Sequence, residues 1–329
     1  MICKIKYIEV IAILILIVIG PNAIGKEGES SSKAYVVTEG SSEVWVIDTI
    51  TKETLAKIEV GKSPHGIAIG PNGRYAYVPN MGSNNVSIID LSKNSVIGTM
   101  EAGLNAHEVR VTADGKYGFV TNPSDDTVSV FSVSEHKDEP HIHEAITRIK
   151  VGDTPHQIAI SPDSQRVWIT NMDSGDISVI DVPSLKEVSR IKVGKGPHGV
   201  VLTPDGKYLW VALYDEHKVV VVDVESEKIV NTLRIEKNPY YIDITSDGKQ
   251  VWVSNDGSDN VAVIDTDTFK VIDYIPLARG AHGITMSPDG KTVWVVGMYE
   301  DTVSIIDIST RKIILKMLVG KRPHVIGIR

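Results

Sequence analysis

The chain has 329 residues, a formal net charge of −8 and a single cysteine, Cys3. An acidic chain without a basic stripe excludes general nucleic-acid binding, which needs a positive surface. One thiol excludes a disulfide framework, a thiolate metal site and a c-type haem attachment motif.

Residues 1–25 read as an export signal. Lys4 and Lys6 give a basic start, residues 10–19 are apolar, and Ala23-Ile24-Gly25 offers small residues where a peptidase needs them. The apolar run is shorter than a membrane span requires. An uncleaved N-terminal anchor is the alternative, and the only membrane contact the sequence suggests. Cys3 precedes the apolar run, so it is not a lipid-attachment cysteine, and it would leave with the signal. Residues 26–32 form a short polar linker. The expected location is extracellular, cell-surface or periplasmic.

Residues 33–329 repeat. Six histidines mark one column: His65, His107, His156, His198, His282 and His324, spaced 42, 49, 42, 84 and 42 apart. The 84 is two periods, with Tyr240 at its midpoint. An aromatic column runs Tyr35, Tyr77, Phe119, Trp168, Trp210, Trp252, Trp294, and an Asp column runs Asp48, Asp90, Asp181, Asp223, Asp265, Asp307, broken by Ser132. Each unit holds four short runs rich in Val, Ile and aromatics, separated by turn residues; in the second unit they fall at 65–69, 74–79, 86–90 and 95–100. Four strands per repeat of about 40–45 residues is the signature of a propeller. No segment sustains a 3.6-residue apolar period, which excludes stacked helical hairpins.

The ends complement each other. The first unit has three strands, and residues 323–329 form a lone first strand. The sequence therefore predicts an all-β, seven-bladed β-propeller of four-stranded antiparallel blades. The C-terminal strand completes the N-terminal blade and closes the ring, which removes exposed sheet edges. One unit is irregular: an insertion around 135–145, carrying His136, His141 and His143, lies between its third and fourth strands. Extended His141-Ile142-His143 would place two imidazoles on one face; a solvated loop is the plainer reading.

Each column histidine begins the first, innermost strand of its unit, so six imidazoles should gather at one mouth of the channel. Three residues earlier stand Lys62, Lys195, Lys237, Arg279 and Lys321, with Leu104 and Asp153 as the exceptions. The loops on the same face are acidic. Three readings follow. Pro-His-Gly, intact at 64–66 and 197–199, would be a structural strand start in which proline presets the dihedral and glycine permits close approach. Cations leaning inward would keep the imidazoles neutral and attract an anion or an acidic cofactor. Cations pointing outward would leave His65, His107, His156, His198, His282 and His324 free to hold copper or another transition metal, which imidazole suits.

The second strands carry Tyr77-Val78-Pro79-Asn80, Phe119-Val120-Thr121-Asn122, Trp168-Ile169-Thr170-Asn171 and Trp252-Val253-Ser254-Asn255. With the Pro-Asp-Gly-Lys turns, these resemble the YVTN-repeat β-propeller family over nearly all of 33–329. The Asn is replaced by Thr38, Leu213 and Gly297 in three blades. The resemblance implies an exported seven-bladed propeller, with surface-layer proteins among the relatives. The chain is more distantly similar to haem d1 propellers, quinone-pathway propellers and lactonase-like or lyase-like propellers.

The reading these observations favour is an exported or cell-surface scaffold that binds a ligand or protein. Its site would be the ring of histidines with Tyr240, Lys62, Lys195, Lys237, Arg279 and Lys321. Its partners would be other extracytoplasmic proteins or a small anionic ligand. The alternatives are a metal- or haem/quinone-type cofactor protein of extracytoplasmic redox metabolism, and a metal-assisted lyase or lactonase-like enzyme using His107 and Glu108. Catalysis needs different groups in different roles, and one residue type repeated around an axis argues against it.

Overall fold

The structure is a computed structural model, and it describes residues 32–133, 145–277 and 279–329. The expected export segment and the His136, His141, His143 insertion lie outside the described residues.

Seven four-stranded antiparallel sheets form the blades. The first blade holds β1 (Lys33–Thr38), β2 (Glu43–Asp48) and β3 (Thr54–Glu59). Its innermost strand is the last of the chain, β28 (Pro323–Ile328), which pairs antiparallel with β1 from Ala34↔Ile328 to Thr38↔Pro323. The ring thus closes by backbone hydrogen bonds between the two ends of the repeat region, as the repeat arithmetic predicts. The second blade consists of β4 (Ala68–Ile69), β5 (Tyr75–Asn80), β6 (Asn85–Asp90) and β7 (Ser95–Glu101). Its inner strand is shorter than the expected 65–69. The backbone before Ala68 pairs with the second strand at an isolated Pro64↔Asn80 bridge, where the His65 N–H donates to the Pro79 carbonyl.

The aromatic column explains how flat sheets become a ring. Tyr35, Tyr77, Phe119, Trp168, Trp210, Trp252 and Trp294 are all at most 2 % exposed. They sit between blades: Trp168 clusters with Leu209 and Val211 of the following blade, and Trp210 with Val251 and Val253 of the next. The Asp column caps the turns after the third strands. Asp90 accepts the Ser92 backbone N–H, and Asp223, Asp265 and Asp307 accept those of Ser226, Thr268 and Thr310 at 2.8 Å. A carboxylate reaching its own following backbone in this way mimics a backbone turn.

The second-strand asparagines are fully buried and bind across the hairpin. The Asn122 amide nitrogen donates to Thr127 Oγ1 and Ser129 Oγ at 3.0 and 2.9 Å, and Asn171 does the same to Asp176 and Ser178. Deleting residues 323–329 should expose β1 as an edge and remove the burial of Val325 and Ile326. Two such side chains at about 1.5–3 kcal/mol each, plus ladder hydrogen bonds at about 1 kcal/mol each, predict a loss above about 5 kcal/mol. A thermal melt should fall by roughly 10 °C or more.

Candidate functional site

The channel is lined by the innermost strands of all seven blades. The turn that delivers each of them has one residue in the left-handed region: Ser63, Asn105, Thr154, Gly196, Asn238, Gly280 and Arg322, with φ from 48° to 73°. The next residue is proline in five blades and alanine in two, and then comes the column residue. The residue before the left-handed one is equally fixed. The backbone N–H groups of Lys62, Leu104, Asp153, Lys195, Lys237, Arg279 and Lys321 each donate to a side-chain oxygen in the loop between second and third strands, at 2.6–3.1 Å. Asp125, Glu216 and Glu300 of the acidic rim are three of those acceptors. This position therefore acts through its backbone. The five cationic side chains are exposed, and none of them lines the channel cavity.

The column residues do meet around the axis. Successive ring centroids are 3.6 Å apart for His65–His107, 4.3 Å for His107–His156, 4.3 Å for His156–His198, 3.7 Å for His198–Tyr240, 4.0 Å for Tyr240–His282, 4.6 Å for His282–His324 and 4.4 Å for His324–His65. The circuit closes. Each ring rests on the next, and five of the seven are at most 6 % exposed, with His156 and Tyr240 partly buried. The seven rings form a stopper across the channel rather than an open lining.

Few of their nitrogens are used. His198 and His282 place Nδ1 at 3.1 and 3.2 Å from the carbonyl oxygens of Tyr240 and His324, the next blade in each case. His324 Nε2 meets Glu39 Oε2 at 2.9 Å, and that bond holds the Glu39 carboxyl below its usual range. Nδ1 of His65, His107, His156 and His324 and Nε2 of His198 are buried without a hydrogen-bond partner. Burial, followed by repulsion from the neighbouring imidazoles, pushes His65, His107 and His198 well below the ordinary range; burial does the same to His282. Burial takes His156 to about 4, against an opposing pull from Asp173. These five imidazoles are therefore neutral at pH 7. A transition metal would need three or four of these nitrogens about 2.0–2.1 Å from one point. Among the described residues no group of three or more His, Cys, Asp or Glu side chains is arranged to hold a metal ion. As they stand, the stacked rings do not fit one.

Directly beneath the rings the sevenfold pattern breaks. One residue after the column come Gly66, Glu108, Gln157, Gly199, Tyr241, Gly283 and Val325. The glycines make room for the neighbouring blade: a Cβ on Gly283 would lie 2.1 Å from the His324 carbonyl oxygen, and one on Gly199 would lie 2.5 Å from that of Tyr240. Glu108, fully buried, accepts hydrogen bonds from Gln157 Nε2 at 3.3 Å and Tyr241 Oη at 3.1 Å, and pairs with Arg110. Glu108 stands in the third blade and Tyr241 in the sixth, so their bond crosses the channel. Burial raises the Glu108 carboxyl, with Arg110 and Tyr241 opposing. Glu108 stood out in the sequence as the neighbour of His107. Arg110, Gln157 and Asp243 did not, although aligning the repeats by the position after the column, and by the one two further on, would have exposed them.

A closed circle of seven four-stranded blades around a stoppered channel defines this protein as a seven-bladed β-propeller with a histidine hub. The YNCE-like beta-propeller family model matches residues 29–328, and the chain belongs to that family. No curated protein matches the sequence. Among solved structures, hydrazine synthase of Kuenenia stuttgartiensis is 20% identical with a TM-score of 0.75, covering 82% of this chain and 91% of that one. A candidate 6-phosphogluconolactonase of Bacteroides fragilis is 18% identical with a TM-score of 0.78, covering 91% and 98%. The dihydro-heme d1 dehydrogenase NirN is 17% identical with a TM-score of 0.67, covering 90% and 74%. At these identities the likeness is one of fold, and fold does not carry function.

Two outcomes follow from the hub. His65, His107, His156, His198 and His282 bind protons less readily folded than unfolded, where their value is near 6.5. The stability they permit is therefore full above about pH 6.5 and is lost as pH falls toward the folded values, by up to about 1.4 kcal/mol per group per pH unit. Melting temperature should drop between pH 7.5 and pH 5, whereas a flat profile would mean the rings bind protons in the folded state. Gly283→Ala should destabilise by about 3 kcal/mol or more, because the added methyl meets backbone that cannot rotate away; denaturant melts measure it.

Proposed function

We propose that this protein is an exported, non-catalytic binding propeller whose ring-bearing face docks a small anionic ligand or an acidic surface of an extracytoplasmic partner protein. Export rests on the signal-like residues 1–25. The observation that carries the binding reading is the set of five cations around the hub. Lys62, Lys195, Lys237, Arg279 and Lys321 are exposed and have no ion-pair partner among the described residues. Several carboxylates of the same face are already engaged by backbone N–H groups, as with Asp259 on Gly280 and Asp301 on Arg322. The face's attraction for anions rests on these five residues.

A second reading has its own support. The unpartnered ring nitrogens of His65, His107, His156, His198 and His324 are the kind of buried polar atom that a bound species normally satisfies. A metal or an acidic cofactor reaching them would require the rings to turn away from one another.

Citrate, titrated into the purified protein by calorimetry at low ionic strength, tests the first reading. Binding should weaken steeply with added salt and fall at least about tenfold in the Lys195→Glu, Lys237→Glu double variant. Affinity indifferent to both would overturn it. Metal content and a visible spectrum address the second: stoichiometric copper, iron or zinc, lost in His65→Ala and His198→Ala, would make the hub a metal centre.

A further inference from the structure

On the side of the hub away from the cationic face, the channel widens into a chamber of about 480 Å³. Its roof is the cross-channel arrangement of Glu108, Gln157 and Tyr241. Its walls come from the later residues of the innermost strands, among them Ile69, Val111, Ile160 and Leu202, which are partly exposed and so mark the open end. The volume lies in the range of small-molecule sites, and the accessible surface mixes polar groups with the apolar side chains of the inner strands in about equal measure.

Two charged groups stand in that wall. Position three after the column is Ala68, Ala159, Val201, Thr285 or Gly327 in five blades, but Arg110 in the third and Asp243 in the sixth. Arg110 is committed: its two hydrogen bonds among the described residues go through Nη1, to Glu108 and to the Val109 carbonyl. Asp243 is not. Its oxygens accept the Ile244 and Met286 backbone N–H groups, each at 2.8 Å, which fixes the carboxyl in place. No cationic side chain forms an ion pair with it among the described residues.

The titratable groups lining the chamber are thus Arg110, Tyr241 and Asp243, with the buried Glu108 behind them, bonded to Arg110, Gln157 and Tyr241. With Glu108 matched by Arg110, one carboxylate remains against an apolar wall. Burial raises its pKa, against the pull of its two backbone N–H bonds and of the Arg110 charge, which forms no ion pair with it. Two backbone N–H bonds leave each oxygen a further lone pair. A single carboxylate with no second protein oxygen is a poor cage for a hard metal ion, which takes six or more oxygens. It matches one N–H donor cation attached to an apolar body.

From these features we infer that the chamber is a second binding site, independent of the ring-bearing face, for a small organic amine. Its ammonium sits on Asp243 and its alkyl part lies against the isoleucines and valines of the inner strands. The site opens on the face opposite the cationic ring, so one molecule can hold an anion at one end of the axis and an amine at the other.

The test uses three isosteres on the purified full chain by calorimetry: 3-methylbutylamine, 3-methylbutanol and 3-methylbutanoate. The amine should bind one to one, at least about tenfold tighter than the alcohol, the margin expected for a charge-assisted hydrogen bond; the carboxylate should not displace it. Asp243→Asn should cost the amine at least about tenfold and leave the alcohol unchanged. Because Asn offers one acceptor oxygen where two are used, this variant can lose stability, and the isostere comparison on the unaltered chain decides without it. Saturating citrate should leave amine binding intact. Equal affinity for amine and alcohol, preference for the carboxylate, no binding of the amine, or loss of amine binding in the presence of citrate would each overturn the assignment.

Discussion

Everything at the axis depends on the antiparallel pairing of β28 with β1. Seven rings touch in a closed circuit only if the seventh strand stands at the same height and angle as the other six. The partner that holds it there is the first strand of the repeat region. Without that pairing His324 has no fixed place, Glu39 loses its contact, and the gap between His282 and His65 is unfilled. The hub is thus a readout of ring closure, and its packing density reports whether the circle is complete.

The repeated residues and the departures from the repeat serve different ends. Aromatics between blades, aspartates capping turns, asparagines bridging hairpins and the left-handed residue before each inner strand recur because every blade has the same geometric needs. Even the cationic position is held through its main chain. The axis is where copies must differ, since seven identical side chains pointing at one line would compete for one space. Gly66, Gly199 and Gly283 yield volume, and Glu108, Gln157 and Tyr241 occupy it. Asymmetry is therefore concentrated in one layer under the rings and in the layer two residues beyond it.

The blade number, the strand order and the ring closure were legible in the sequence, because a fixed period maps directly onto a fixed rotation. So was the convergence of His65, His107, His156, His198, Tyr240, His282 and His324. Their burial was not, since spacing places a side chain at the axis without saying whether it lines a hole or fills one. The exposure of Lys62 and its equivalents was hidden for a similar reason: the feature that fixes the position is a backbone hydrogen bond, which leaves no mark on residue identity. The Glu108–Tyr241 bond joins residues 133 apart, and only the circle brings the third and sixth blades face to face. The inner strand of the second blade came out shorter than its apolar run suggested: the Gly66 backbone N–H leaves its own sheet and bonds to the His107 carbonyl of the next blade at 3.0 Å.

The closing strand also sets an order of events. A chain made from its N-terminus presents β1 long before β28 exists, and for most of that time the first blade lacks its inner edge. Six blades can form locally, each from neighbouring sequence, but the last contact spans nearly the whole chain and carries the largest loop-closure entropy. The nascent molecule is then an open arc with unpaired main-chain groups at both ends, a shape that invites pairing between copies until the final residues arrive. Latch and liability are the same six residues.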